Sequence, residues 1–277
     1  MSTNETYFGG CDIGSTTGKA AIIDSKGNLV ASAIVPRDID PEETAQAALT
    51  EALKNCKLPI SSYGDLDYLV GTGYGRAEVP FANENISEIS CHAMGVFHCD
   101  KEIKTIVDIG GQDAKGISIN GDGSVLDFAM NDKCAAGTGR FIEAMSRIFR
   151  QELEEFSNMS LKAKRAVPIT AQCSVFAETE VISLLAKKES PADIAAGIYQ
   201  SVANRCFTLV KRVGLHGKVT VSGGCAKNTG LVRELEKKLK VKLATLPVDP
   251  QLIGAIGAAV YAMKKGGNPL AETKSAH

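Results

Sequence analysis

The pattern Asp-Ile-Gly-x-x-x-x-Lys occurs twice, as DIGSTTGK at 12–19 and DIGGQDAK at 108–115. The surroundings repeat as well. In the first copy an apolar run at 8–13 leads in, a second at 20–23 follows, and Asp-Ser-Lys-Gly-Asn at 24–28 turns the chain back. In the second copy 106–109 leads in, 117–119 follows, and Asn-Gly-Asp-Gly at 120–123 makes the turn. Each copy predicts a β-hairpin whose strands are joined by a Gly-rich bend. A repeat with its context intact constrains the whole chain, because two like halves must each bury a core.

The rest of the chain divides accordingly. After the first hairpin, 30–35 supplies a third strand, and 41–55 reads as a helix. Asp40 caps that helix, Pro41 sits in its first turn, and Glu42 and Glu43 lie near its positive end. A short strand at 66–70 runs into the Gly-rich turn 71–75, and a helix around 88–97 leads to the second hairpin. The spacing then predicts helices over 135–153, 174–187 and 192–213, with Gly137 and Gly139 weakening the start of the first. A strand at 218–222, a turn at 223–227, a helix at 229–240, a strand at 242–246 and a helix at 251–264 complete the pattern. Gly254 and Gly257 suit that last helix to close packing, and the residues after 265 read as a loose tail. The expectation is an α/β protein of two similar domains with a cleft between them. The first spans 1–100, with helix 251–264 packing back on it, and the second spans 101–250.

With 277 residues the chain is long enough for two ordinary domains. A net charge of −1 gives no sign of a polybasic nucleic-acid surface, and 5% aromatic residues without Trp argue against base-stacking platforms. The polar start MSTNETY argues against a secretory signal, and the apolar stretch 252–263 is too short and Gly/Ala-rich to span a bilayer. Eight cysteines outside any small secreted framework point to a reducing compartment. A cytoplasmic protein without nucleic-acid or membrane partners is expected.

A Gly-rich turn with small hydroxyl residues lets backbone N–H groups approach an anion, and Lys adds charge. Gly14, Ser15, Thr16, Thr17, Gly18 and Lys19 fit this description, as do Gly110, Gly111, Gln112 and Lys115. Asp12 and Asp108 end the leading strands, where carboxylates could hold Mg²⁺ through water. A P-loop is excluded: it needs four residues between its glycines and Ser or Thr after the Lys, whereas Ala20 follows Lys19. The bland alternative is a pair of ligand-free hairpin turns. A third element is the strand 219–222 running into Gly223-Gly224, where missing side chains could admit a nucleoside. In this order the three elements resemble the actin, sugar-kinase and Hsp70-like ATPase superfamily. That resemblance implies ATP held in the cleft between two ribonuclease-H-like domains.

Superfamily membership leaves function open, since its members include kinases, chaperones and filaments. The segments NDKCAAGTGRF at 131–141, QCSVFAETEVIS at 172–183, SEISCHAMG at 87–95 and VDIGGQDAK at 107–115 narrow it. Together they closely resemble the 2-hydroxyacyl-CoA dehydratase activators, a family that also contains the ATP-binding subunits of benzoyl-CoA reductase. The resemblance covers nearly the whole chain. It implies that Cys134 and Cys173 ligate a [4Fe–4S] cluster shared by two subunits. Such a cluster takes four thiolates, so two per chain imply a symmetric homodimer. Each cysteine precedes an expected helix, so helix N-termini would direct positive charge at the anionic cluster.

The resemblance further implies an ATPase coupled to one-electron transfer. Ferredoxin or flavodoxin would be the donor, and an acyl-CoA dehydratase or reductase component the acceptor. Asp12 and Asp108 would position Mg²⁺, and Asp108 with Gln112 would serve hydrolysis. Gln112 would orient water by analogy with water-positioning glutamines elsewhere. Residues 15–19 and 110–112 would hold phosphates, Gly223 and Gly224 would admit the adenosine, and Lys227 and Gln251 match nucleotide-contacting positions. Cys11, Cys56, Cys99, Cys206 and Cys225 default to buried, inert thiols. Cys91-His92 and His98-Cys99 imitate a zinc pattern, but on a helix residues 91 and 98 lie about 10.5 Å apart along the axis at about 1.5 Å per residue. That segment reads as packing. The competing functions are a small-molecule kinase and an ATP-dependent binding switch.

Overall fold

A computed structural model describes residues 6–54, 60–132, 134–171 and 173–267. Cys56, the end of the first expected helix at Asn55, Lys133 and Gln172 of the cysteine segments, most of MSTNETY and most of the expected tail lie outside the described residues. In chain order the elements are β1 (Tyr7–Ile13), β2 (Thr17–Asp24), β3 (Leu29–Pro36), α1 (Pro41–Lys54), β4 (Tyr68–Thr72), β5 (Glu84–Asn85) and α2 (Glu88–Cys99). There follow β6 (Ile103–Ile109), β7 (Ala114–Ile119), β8 (Val125–Asn131), α3 (Gly139–Ile148), α4 (Leu153–Leu161), α5 (Ser174–Ala186) and α6 (Pro191–Val213). The chain closes with β9 (Lys218–Ser222), α7 (Thr229–Leu239), β10 (Leu243–Ala244) and α8 (Ile253–Gly266). It divides into two compact units, residues 1–101 with 121–125 and 246–277, and residues 102–120 with 126–245.

The first unit has a five-stranded sheet of order β3-β2-β1-β4-β5. Strand β1 is buried along its whole length, so alternate side chains serve the two faces. Tyr7, Cys11 and Ile13 join Ala45, Ala48 and Leu49 of α1 on one side. Phe8 joins Cys91 and Met94 of α2 and Ile256 and Ala259 of α8 on the other. Asp40 caps α1 by accepting the Glu42 amide at 2.8 Å. Small residues let α8 lie directly on its neighbours: a Cβ at Gly10 would sit 2.0 Å from the Ala255 carbonyl oxygen, and one at Gly257 would sit 1.8 Å from that of Cys91.

The second unit repeats the plan, with sheet order β10-β9-β6-β7-β8. In both units a leading strand pairs antiparallel with the next strand and parallel with a later one. Its core gathers Val107 and Ile109 of β6, Phe141 and Met145 of α3, Ile198 and Tyr199 of α6 and Leu231 and Leu235 of α7.

Several elements depart from the sequence reading, the strand expected at 66–70 running instead over Tyr68–Thr72. The helix expected over 135–153 is two helices: it starts only at Gly139, and Arg150, at φ 54°, separates α3 from α4. The strand expected at 242–246 is reduced to Leu243–Ala244. Strand β8 has no counterpart in the sequence reading, because its inward side is mainly Ala129 while Leu126, Phe128 and Met130 are exposed. Among the described residues no helix is long and apolar enough to cross a membrane.

Candidate functional site

Hairpin register explains the repeated Asp and Lys. Asp12 lies opposite Lys19 across β1 and β2, and Asp108 lies opposite Lys115 across β6 and β7. Directly opposed residues of an antiparallel pair share a face. The spacing therefore builds an ion pair in each unit, 3.5 Å for Lys19–Asp12 and 3.3 Å for Lys115–Asp108. The bend closes identically in both, by the Gly14 amide on the Thr17 carbonyl and the Gly110 amide on the Asp113 carbonyl, each at 3.0 Å.

The symmetry extends further than the sequence reading. Strand pairing puts Thr72 beside Asp12 and Ser222 beside Asp108, so each leading Asp has a hydroxyl neighbour. Ser222 uses it, donating to Asp108 Oδ1 at 2.7 Å. A glycine at positive φ follows each hydroxyl residue, Gly73 at 89° and Gly223 at 81°. A Cβ at Gly73 would sit 2.4 Å from Asp12 Oδ1, and one at Gly223 would sit 2.4 Å from the Ile109 carbonyl oxygen. Gly223 thus lies against the end of β6, and both its positive φ and the nearness of that backbone call for glycine.

The two lysines differ in exposure. Lys115 is 1% exposed and also donates to Asp113 at 2.6 Å, so it braces the second bend from within. Lys19 is less enclosed and its ammonium lies over Gly14, where a Cβ would sit 2.7 Å from Nζ. Arg37, which carried no signal in the sequence, clamps the first bend: its side chain donates to the Gly14 carbonyl at 2.7 Å and its amide to that of Thr16 at 3.1 Å. Ser15, Thr16 and Thr17 are half-buried, and Gln112 is exposed at the tip of the second bend.

Of the remaining expected nucleotide residues, Gly224 and Lys227 are exposed on a short 3-10 turn after β9. Asn228 then caps α7 through its side chain, which accepts from the Leu231 amide at 3.1 Å. Gln251 belongs to the first unit and is half-buried just before α8. The first turn of α8 reaches Asp12: a Cβ at Gly254 would meet Asp12 Oδ2 at 2.6 Å and His92 Nε2 at 3.0 Å. His92 and Cys91 are buried in α2, while His98 Nε2 lies 2.8 Å from the Gly27 carbonyl oxygen.

The cysteines separate by exposure. Cys134 and Cys173 are the exposed ones among the described residues. Cys11, Cys91 and Cys206 are buried, and burial pushes the thiols of Cys91, Cys206 and Cys225 up to about 12 and that of Cys99 to about 11. Such thiols stay protonated and apolar near neutrality. Cys173 stands at the N-cap of α5, and its carbonyl accepts the Ala177 amide at 2.9 Å. Cys134 instead lies in a loop upstream of α3. The first amides of that helix are already engaged: Gly139 donates to the Gly110 carbonyl and Arg140 to the Gly111 carbonyl, both at 2.9 Å. That engagement is why α3 begins late. It also joins the second Gly-rich bend to the Cys134 segment by backbone bonds.

Beside Cys134 is a cavity of about 480 Å³ whose walls include Asn131, Thr170 and Arg205. Asn131 fixes the loop by donating to the Cys134 carbonyl at 3.0 Å. Two exposed thiols, one in a loop and one at a helix N-cap, are the donor chemistry that a thiolate-ligated cluster requires.

The sequence model of the BadF/BadG/BcrA/BcrD ATPase family matches residues 10–262. The activator of lactoyl-CoA dehydratase from Anaerotignum propionicum is 43% identical over 92% of this chain and 97% of its own length. The crystal structure of the Acidaminococcus fermentans (R)-2-hydroxyglutaryl-CoA dehydratase component A is similar at a TM-score of 0.89 and 39% identity, covering 95% of this chain and 99% of that one. The activator of the 2-hydroxyisocaproyl-CoA dehydratase from Clostridium difficile, solved with bound ADPNP, reaches a TM-score of 0.88 at 40% identity, covering 98% and 100%. Two like units, each opening on a hairpin with its Asp-Lys pair, give the actin/Hsp70-like ATPase fold. With that fold and a match spanning nearly its whole length, the chain belongs to the BadF/BadG/BcrA/BcrD ATPase family.

Proposed function

We propose that this protein is an ATP-dependent activator that delivers single electrons to a 2-hydroxyacyl-CoA dehydratase. In this reading Cys134 and Cys173 of two copies together hold one [4Fe–4S] cluster, which when bound supplies a one-electron carrier of low potential. The observation that carries the reading is the exposure of these two thiols while the other described cysteines are buried or half-buried. The apolar side chains beside Cys173 support it: Val175 and Phe176 are 67% and 69% exposed, as expected of a surface completed by another chain.

The roles of the remaining residues follow the chemistry of the bends. The amides and hydroxyls of Gly14, Ser15, Thr16, Thr17 and Gly18, with Lys19, hold phosphate oxygens, and Gly110, Gly111 and Gln112 do so from the second bend. Asp12 and Asp108 orient the water shell of Mg²⁺. Gln112, exposed at the bend tip, places the attacking water, while Ser222 and Lys115 keep Asp108 oriented. Gly223, Gly224, Lys227 and Gln251 receive the nucleoside. Nucleotide turnover then acts on electron transfer through the bonds from Gly110 and Gly111 to α3. For one electron about 59 mV is tenfold in equilibrium, or about 1.4 kcal/mol, a scale that nucleotide binding can supply. Ferredoxin or flavodoxin is the electron donor, and the protein acts as a cytoplasmic homodimer.

The test is anaerobic purification of the wild type and of Cys134→Ser and Cys173→Ser, with assay of iron, acid-labile sulfide and ATP-dependent activation of an acyl-CoA dehydratase component. Loss of iron and of activation in both variants is expected. Full iron retention in either variant refutes the ligand assignment. Activation of a benzoyl-CoA reductase component alone, or ATP-dependent phosphorylation of a small molecule by an iron-free protein, would assign the chain to those functions instead.

A further inference from the structure

We propose that Arg205 is the positioning residue of the two-cysteine site: its guanidinium holds the segment before Cys173, its stem packs on the Cys134 loop, and its charge stands beside the thiolates. The proposal rests on the reading that these cysteines hold a cluster. Arg205 projects from α6, and its Nη2 donates to the carbonyl of Ala171, two residues before Cys173, at 3.3 Å. Its Nη1 donates to both the carbonyl and the hydroxyl of Ser201, each at 3.3 Å, which fixes the fork on the helix.

On the other side its aliphatic stem fills the space over Gly137, where a Cβ would sit 3.0 Å from Arg205 Cδ. Its charge lies 5.8 Å from the centre of the Phe141 ring in α3. Arg205 also shares the wall of the cavity beside Cys134. The loops before α3 and α5 thus meet at this one side chain, which is half-buried.

The chemistry calls for arginine. A lysine presents one compact ammonium and cannot reach the Ala171 and Ser201 oxygens through a fixed fork. A purely structural arginine would explain the hydrogen bonds but would leave electron affinity untouched. A cation held beside thiolate ligands does more, because it favours the more negative, reduced state of whatever they ligate.

The experiment compares wild type, Arg205→Lys and Arg205→Gln as anaerobically purified holoprotein. The readouts are the midpoint potential from an EPR-monitored redox titration and the rate at which an iron chelator strips the site. Arg205→Gln is expected to shift the reduction equilibrium about tenfold towards the oxidised form, about 59 mV for one electron, and to lose iron several-fold faster. Arg205→Lys, which keeps the charge and loses the fork, should hold a potential close to wild type yet still lose iron faster. Wild-type potential and wild-type iron loss in Arg205→Gln overturn the proposal, as does a variant changed only in melting temperature. If Arg205→Gln does not fold, Arg205→Lys decides, and iron loss at the wild-type rate overturns the proposal. A wild type without iron instead overturns the reading of the cysteines on which this proposal stands.

Discussion

Asp108 divides its carboxylate between the Ser222 hydroxyl and the buried Lys115 ammonium, and Lys115 in turn holds Asp113. Neutralising Asp108 leaves Lys115 with one carboxylate instead of two. Asp108→Asn should therefore cost about 1–3 kcal/mol, the range for disturbing a buried charged hydrogen bond, and less than removal of a sole partner. ATP hydrolysis should fall by about 10²-fold or more, since the residue is proposed to act at the metal. A urea midpoint and a phosphate-release assay check both effects. The buried thiols make a second prediction. Their folded values near 12 exceed the ordinary 9.0, so the native state holds protons that the unfolded chain releases. Their stabilisation is complete below pH 9.0 and is lost as pH rises from there through about 12, by about 1.4 kcal/mol per pH unit for each thiol. A falling urea midpoint between pH 9 and 10 in reducing buffer is expected, with no such fall between pH 7 and 8. The leading Asp residues and the bends were legible in the sequence because a repeat marks them. Arg37, Ser222 and Arg205 were not, since each acts on a partner distant in sequence that only folding brings near.

Helix α3 shows how an element's ends can carry more meaning than its middle. Its first amides cap the carbonyls of Gly110 and Gly111, so Gly139 stands at a contact between a proposed phosphate bend and a proposed cluster loop. A Cβ there would lie 3.1 Å from the Gly110 oxygen and 3.2 Å from Cys225 Sγ. Ala in place of Gly gains up to about 1 kcal/mol of helix propensity, which offsets much of the crowding. Gly139→Ala should accordingly leave the melting temperature nearly unchanged while slowing ATP hydrolysis about tenfold, because the bend must move. An unaltered rate of phosphate release would show that the bend tolerates the shift. Helix α1 was legible from its cap and first turn and α6 from its spacing, signals that are local. The division of α3 from α4 was hidden because it turns on a non-glycine residue, Arg150, at positive φ. Strand β8 was hidden because its apolar side chains face outwards, the reverse of the burial that makes strands readable.

At the scale of the molecule, one plan is used twice: a leading strand ending in Asp, a Gly-rich bend, a Lys in register, and a later strand ending in a hydroxyl residue and a left-handed Gly. That duplication, with the Gly223-Gly224 turn after a later strand, made the fold readable from the sequence. The second unit departs from the plan by adding the segments that carry Cys134 and Cys173 and, beside them, exposed Val175 and Phe176. The two exposed thiols among the described residues are half of what a [4Fe–4S] cluster takes, so function is proposed to reside in the pair of chains. Native mass spectrometry of the anaerobically purified protein tests this most directly. The account predicts one dominant species with the mass of two chains plus one [4Fe–4S] cluster. An iron-free species, or a monomer carrying a complete cluster of its own, would contradict it.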